Sequence, residues 1–107
     1  MQILLFYIPV SSNIEAISLG QKAVEQRIAA CANIFPIQSI FPWEGAIQNE
    51  NEFVLILKTI PSLKNQLTSF ITSHHSYEVP CILNWIVEVN ESYGLWIKEN
   101  VLKEYPH

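Results

Sequence analysis

Aspartate is missing altogether from these 107 residues; the ten acidic side chains are all glutamates. The commonest carboxylate of hydrolytic triads and magnesium sites is therefore gone. Lysine and arginine number only six, scattered along the chain, and the formal net charge is −4. No basic stripe exists to neutralise phosphates, so no nucleic-acid partner is expected. The three glycines form no phosphate-cradling loop and no nucleophile elbow. Together these absences argue against an enzyme. The two cysteines, Cys31 and Cys81, lack metal-ligand spacing and read as buried free thiols of a reducing compartment. No apolar run is long enough to be a transmembrane segment. The run Ile3 to Ile8 lacks the basic flank and cleavage site of a signal peptide. A cytoplasmic protein with one domain, 1–107, is expected.

Charge is scarce too, at 15% of residues against 50% hydrophobic. A small domain has much surface to cover, so this balance predicts that part of it is buried in an oligomer.

Read in order, Ile3-Leu4-Leu5-Phe6-Tyr7-Ile8 is a continuous apolar run, the pattern of a central strand. Ser12-Asn13-Ile14-Glu15 fits a capping box, and Ile17, Val24 and Ile28 follow at helical spacing. The first helix is expected over 13–29. A strand from Cys31 toward Phe41 contains Pro36 and precedes Pro42, which places it at a sheet edge. Trp43-Glu44-Gly45-Ala46 supplies a hairpin turn, with Gly45 at positive φ. The polar stretch Gln48 to Glu52 leads into a third strand, Phe53 to Lys58. Pro61 opens a second helix that fades near His74 or His75. A fourth strand follows from Cys81 to Val89, then a short helix capped by Asn90, then a frayed tail from Lys103.

That order, βαββαβ with a terminal helix, is the α+β, ferredoxin-like split βαβ pattern. Right-handed crossovers put both helices on one face of a four-stranded antiparallel sheet, with strands two and four at opposite edges. No intrachain disulfide between Cys31 and Cys81 is then expected. If Phe53, Leu55 and Leu57 face the helices, Val54 and Ile56 face away, with Ile82 and Ile86 beside them. A patch of that kind predicts a closed oligomer packed sheet to sheet.

Several segments resemble the CutA divalent-cation-tolerance family. They are Arg27-Ile28-Ala29-Ala30-Cys31-Ala32-Asn33-Ile34, Trp43-Glu44-Gly45-Ala46-Ile47, Lys58-Thr59, His74-His75-Ser76-Tyr77-Glu78-Val79-Pro80 and Tyr93-Gly94-Leu95-Trp96. The resemblance runs through the whole chain in order and spacing. It implies a ferredoxin-like homotrimer whose edge strands pair between subunits, similar in architecture to the PII signalling proteins. It also implies a link to copper and other divalent cations. Two departures stand out: Ser76 replaces the proline of the family's His-Pro-Tyr, and Phe6 occupies the place of a cysteine proposed as a copper ligand in some members.

Two clusters carry the candidate chemistry. His74 and His75, with Glu78, are the metal candidates, since neutral imidazole suits Cu2+ and Zn2+. The competing reading is two histidines closing a helix. Adjacent residues diverge on a helix and on a strand, so a shared metal needs irregular backbone or ligands from another subunit. Weak binding is expected, with no organic cofactor. The second cluster, Trp43, Glu44, Lys58, Tyr77 and Trp96, has the aromatic walls of a small-molecule pocket in which Lys58 would hold an anionic ligand. Its competing reading is trimer packing, because interfaces favour aromatic residues. A scaffold that docks a protein partner or a membrane through its edges is a third possibility.

Overall fold

The computed structural model describes residues 1–103. The strands are β1 (Gln2–Val10), β2 (Cys31–Trp43), β3 (Ala46–Thr59) and β4 (Leu83–Glu88); the helices are α1 (Asn13–Glu25), α2 (Lys64–His74) and α3 (Glu91–Glu99). A 3-10 turn over Pro61–Leu63 leads into α2, with Pro61 where its missing N–H costs nothing. The sheet order is β2-β3-β1-β4 with every neighbour antiparallel, the ferredoxin-like arrangement. The prolines of β2 lie on an edge strand, as expected.

One sheet face carries the main core. Leu4, Phe6, Ile8 and Val10 of β1 and Leu55 and Leu57 of β3 pack against Ala16, Leu19 and Ala23 of α1 and Leu67, Phe70 and Ile71 of α2. The buried face of α1 differs from the expected one. Ile17 and Val24 stay 47% and 37% exposed, and the small residues Ala16, Gly20 and Ala23 turn inward. Close approach explains the preference: a Cβ on Gly20 would sit 3.0 Å from Ala32 Cβ and 3.2 Å from Leu55 Cδ1. Ser12 caps α1 by accepting the Glu15 N–H at 3.1 Å.

The helix also stops four residues earlier than its expected end at Ala29. Arg27 takes a left-handed φ of 61°. The Ile28 N–H then donates to the Ala23 carbonyl and the Arg27 N–H to that of Val24, the paired bonds of a Schellman turn. The Arg27 guanidinium donates to the Glu99 carbonyl at 2.9 Å, and its own carbonyl accepts the Leu102 N–H at 2.8 Å. The end of α1 therefore anchors the end of α3. Asn90 stands at the N-cap of α3 without a side-chain bond to its backbone, donating to Ser92 Oγ instead. The expected frayed tail lies, past Lys103, outside the described residues.

The β2–β3 hairpin is longer than the pattern predicts. Its ladder runs from Cys31↔Lys58 to Trp43↔Ala46, so the polar stretch Gln48 to Glu52 is strand. Glu44 and Gly45 have φ of 49° and 81°, the two positive values of a type I′ turn. Because β1 pairs with β3 only as far as Val10↔Phe53, the distal half of the hairpin projects as a two-stranded arm.

On the other sheet face, α3 covers one end, where Ile97 and Val101 pack with Ile3, Leu63 and Val87. The register corrects the expected lining of the rest. Leu5↔Trp85 and Tyr7↔Leu83 put Leu83 and Trp85 on this face, together with Ile56 opposite Tyr7. Ile86, opposite Leu4, belongs to the helix side, and Ile82 packs on the helix-side core. Val54 is fully covered within the chain, whereas Leu83 and Trp85 remain 53% and 43% exposed. The fourth strand starts at Leu83, leaving Cys81 exposed in the preceding coil rather than in a strand. Both cysteines are free, but neither is buried as expected, since Cys31 lies on the edge strand and is only partly covered.

Candidate functional site

The α2–β4 connection is built where a helix gives way to extended chain. His74 is the last residue of α2, and His75, at φ −72° and ψ 140°, has already left it. This single change of backbone sends the two imidazoles into different surroundings. His74 is exposed; its ring lies 4.4 Å from that of Phe70, with Nδ1 at 2.9 Å from the Phe70 carbonyl oxygen and 3.0 Å from Ser73 Oγ. The His75 side chain has no exposed surface. Its Nε2 lies 2.9 Å from the Pro9 carbonyl oxygen, and its Nδ1 is 3.0 Å from the Tyr77 backbone nitrogen.

Glu15 ties this loop to the start of α1. Its carboxylate accepts the N–H and hydroxyl of Ser11 at 3.2 and 2.7 Å, and the N–H and hydroxyl of Ser76 at 2.9 and 2.8 Å. Burial alone would raise its pKa. The bonds from Ser11 and Ser76 outweigh burial and hold it below the ordinary carboxylate value. Ser76 thus replaces the rigidity of a proline ring with two hydrogen bonds that proline could not donate. The capping-box pattern located Glu15 but carried no sign of this second attachment.

Beyond the loop, a cleft of about 890 Å³ opens between the hairpin arm and residues 76–81. Phe41, Trp43 and Tyr77 contribute aromatic surface, and Glu50, Glu52 and Glu78 contribute acid; among the described residues no lysine or arginine lines it. Glu52 is 5% exposed, and its carboxylate accepts the Tyr77 hydroxyl at 2.5 Å. Burial, then that bond and the Glu52 charge, push the Tyr77 pKa far above that of a free phenol. Tyr77 is therefore a fixed donor. Glu52 escaped the sequence reading because only the hairpin register reveals that this part of the polar stretch is folded inward.

The expected pocket cluster does not assemble within one chain. Trp43 and Tyr77 share the cleft, and Glu44 sits in the hairpin turn. Lys58 lies twelve residues along β3 from the turn, roughly 40 Å away at the usual strand rise. There its Nζ is 3.4 Å from the Tyr93 hydroxyl, and Tyr93 stacks on Trp96 at 5.7 Å. Glu78 lies exposed on the cleft rim. Among the described residues, no three His, Cys, Asp or Glu side chains converge into a metal-ligand cluster.

A family model described as CutA1 divalent ion tolerance protein matches residues 4–100. The chain belongs to this family. The CutA divalent-cation tolerance protein of Archaeoglobus fulgidus is 38% identical over 96 residues, covering 89% of this chain and 94% of that protein. Its Thermotoga maritima counterpart is 34% identical over 100 residues, covering 92% and 99%. The crystal structure of CutA1 from Pyrococcus horikoshii superposes with a TM-score of 0.91 at 32% identity, covering 94% of this chain and 99% of that one. The chain spans about half of some eukaryotic CutA proteins, 53% of the chloroplastic one of Arabidopsis thaliana and 46% of the human one. Compartments named for CutA relatives vary: one is called chloroplastic and the structure from A. fulgidus periplasmic. Here, no helix among the described residues is long and apolar enough to cross a membrane.

Proposed function

We propose that this chain contributes to divalent-cation tolerance by holding copper(II) or zinc(II) weakly at the end of α2, in the segment His74 to Glu78. The observation that carries the reading is the exposed His74 imidazole, placed beside the carbonyl-rich C-terminus of a helix with one ring edge against a backbone carbonyl. A helix C-terminus favours cations, and metal-bound histidines characteristically rest their second nitrogen on such an acceptor. A bound cation would supply charge for capture and no bond-breaking chemistry, so the role is binding rather than catalysis. Few ligands from one chain mean modest affinity. Both cysteines being free suits a reducing cytoplasm.

The assembly is a homotrimer of the family kind. The half-exposed Leu83 and Trp85 and the projecting arm support it, because other copies can cover both. Anion sensing is the weaker reading: the cleft is walled by carboxylates, and Lys58 stands far from it. The test is calorimetric titration of copper(II) and zinc(II) into the purified protein beside a His74→Ala/His75→Ala double variant. Saturable binding that the double variant loses is expected. Affinity unchanged in the double variant would overturn the assignment.

A further inference from the structure

We infer that the adjacent histidines are locked in opposite tautomers, so that His74 alone presents a metal-binding nitrogen, Nε2, while His75 is a structural pin. This deepens the proposed cation site and rests on that reading.

The assignment follows from which neighbours can only donate or only accept. A carbonyl oxygen cannot donate. With Nδ1 of His74 2.9 Å from the Phe70 carbonyl, the neutral ring carries its proton on Nδ1. Ser73 reinforces this, since its hydroxyl donates to the same carbonyl at 3.0 Å and leaves its own lone pairs to face Nδ1. The bare nitrogen of His74 is therefore Nε2, on a residue exposed to solvent. A backbone N–H cannot accept. With the Tyr77 N–H donating to Nδ1 of His75 at 3.0 Å, that nitrogen is bare but occupied. Its Nε2 then carries the proton and donates to the Pro9 carbonyl at 2.9 Å.

Metal binding through His75 would break one of those two bonds inside a side chain that has no exposed surface. Leaving a buried polar group unpaired is costly, which opposes a weak metal contact. The same bonds give His75 a different task. They fasten the end of β1 to the start of the connection, and Ser76 and Tyr77 continue the attachment to Glu15 and Glu52. His75 positions the segment; His74 meets the cation.

Nitrogen-15 NMR of the imidazoles in the unmodified protein, followed through a zinc(II) titration, tests this without a variant that could misfold. Before zinc, His74 is expected to report as the Nδ1–H tautomer and His75 as Nε2–H. On addition, the Nε2 resonance of His74 should shift or broaden at low equivalents while both nitrogens of His75 stay in place. Zinc acting on a nitrogen of His75, or His75 appearing as Nδ1–H, would overturn the division of roles. Zinc moving neither ring, with the tautomers as assigned, would instead overturn the cation reading and with it the ligand role of His74. A His74→Ala variant supplies the second readout: zinc affinity should fall at least tenfold, whereas an undiminished affinity would contradict the inference.

Discussion

The helix-clad body of the sheet and the projecting β2–β3 arm obey the same hairpin register, yet they solve the burial problem differently. In the body, β1 and the proximal half of β3 are closed by α1 and α2, and Phe6, Ile8, Leu55 and Leu57 have no exposed surface. In the arm, Ile40 and Ile47 are 71% and 73% exposed, and the strands pair only with each other. A two-stranded ribbon is marginal on its own in water. The contrast teaches that the helix side of the body closes its own core, whereas the arm leaves apolar side chains that only the proposed assembly would cover.

The comparison can be broken first in the body. Phe6→Ala removes a fully buried ring from the centre of the core and should destabilise the chain by about 3–5 kcal/mol, read as a shift in the urea midpoint. A loss below about 1 kcal/mol would mean that the body is not self-sufficient. In the arm, Ile40→Ser with Ile47→Ser should leave the circular-dichroism spectrum native and, if the proposed trimer buries both side chains, weaken its association roughly a hundredfold or more, at about 1.5–3 kcal/mol for each isoleucine. Sedimentation velocity reads this, and a trimer indifferent to both changes would show that the arm is covered by nothing.

The smallest expected effect lies where body and arm meet. Glu15 has a lowered pKa in the folded chain, so its contribution is present above the ordinary carboxylate range and disappears as pH falls through the folded value. Glu15→Gln should therefore lower stability at neutral pH, where the carboxylate clamp is fully present, and flatten the acid limb of the stability curve below about pH 4.5. Ser76→Ala keeps the N–H donor and loses only the hydroxyl bond, which should cost about 1 kcal/mol. An acid limb identical to that of the unmodified chain would remove Glu15 from its clamping role.

How far the sequence reveals all this depends on whether local pattern or tertiary register decides each residue. The run Ile3 to Ile8 and the prolines of β2 act locally, and they place the central and edge strands correctly. In β4, Leu83, Trp85 and Val87 alternate with Asn84, Ile86 and Glu88, and only the pairing with β1 shows that Trp85 turns away from the helices and Ile86 toward them. The inner face of α1 is built from the small residues Ala16, Gly20 and Ala23 beside Leu19, and hydrophobic periodicity discounts small residues. The arm hides behind Gln48 to Glu52, polar residues whose pairing needs no core. The histidine pair shows the limit most sharply. Two identical neighbours look like one site, but the chain turns extended at His75 and buries one of them.

The central claim is that a divalent cation binds at the end of α2. Calorimetric titration of zinc(II) into the unmodified assembly tests it most directly. The account predicts a saturable heat with one equivalent site per chain and weak affinity. A flat titration, or binding that persists unchanged after both His74 and His75 are replaced, would contradict it.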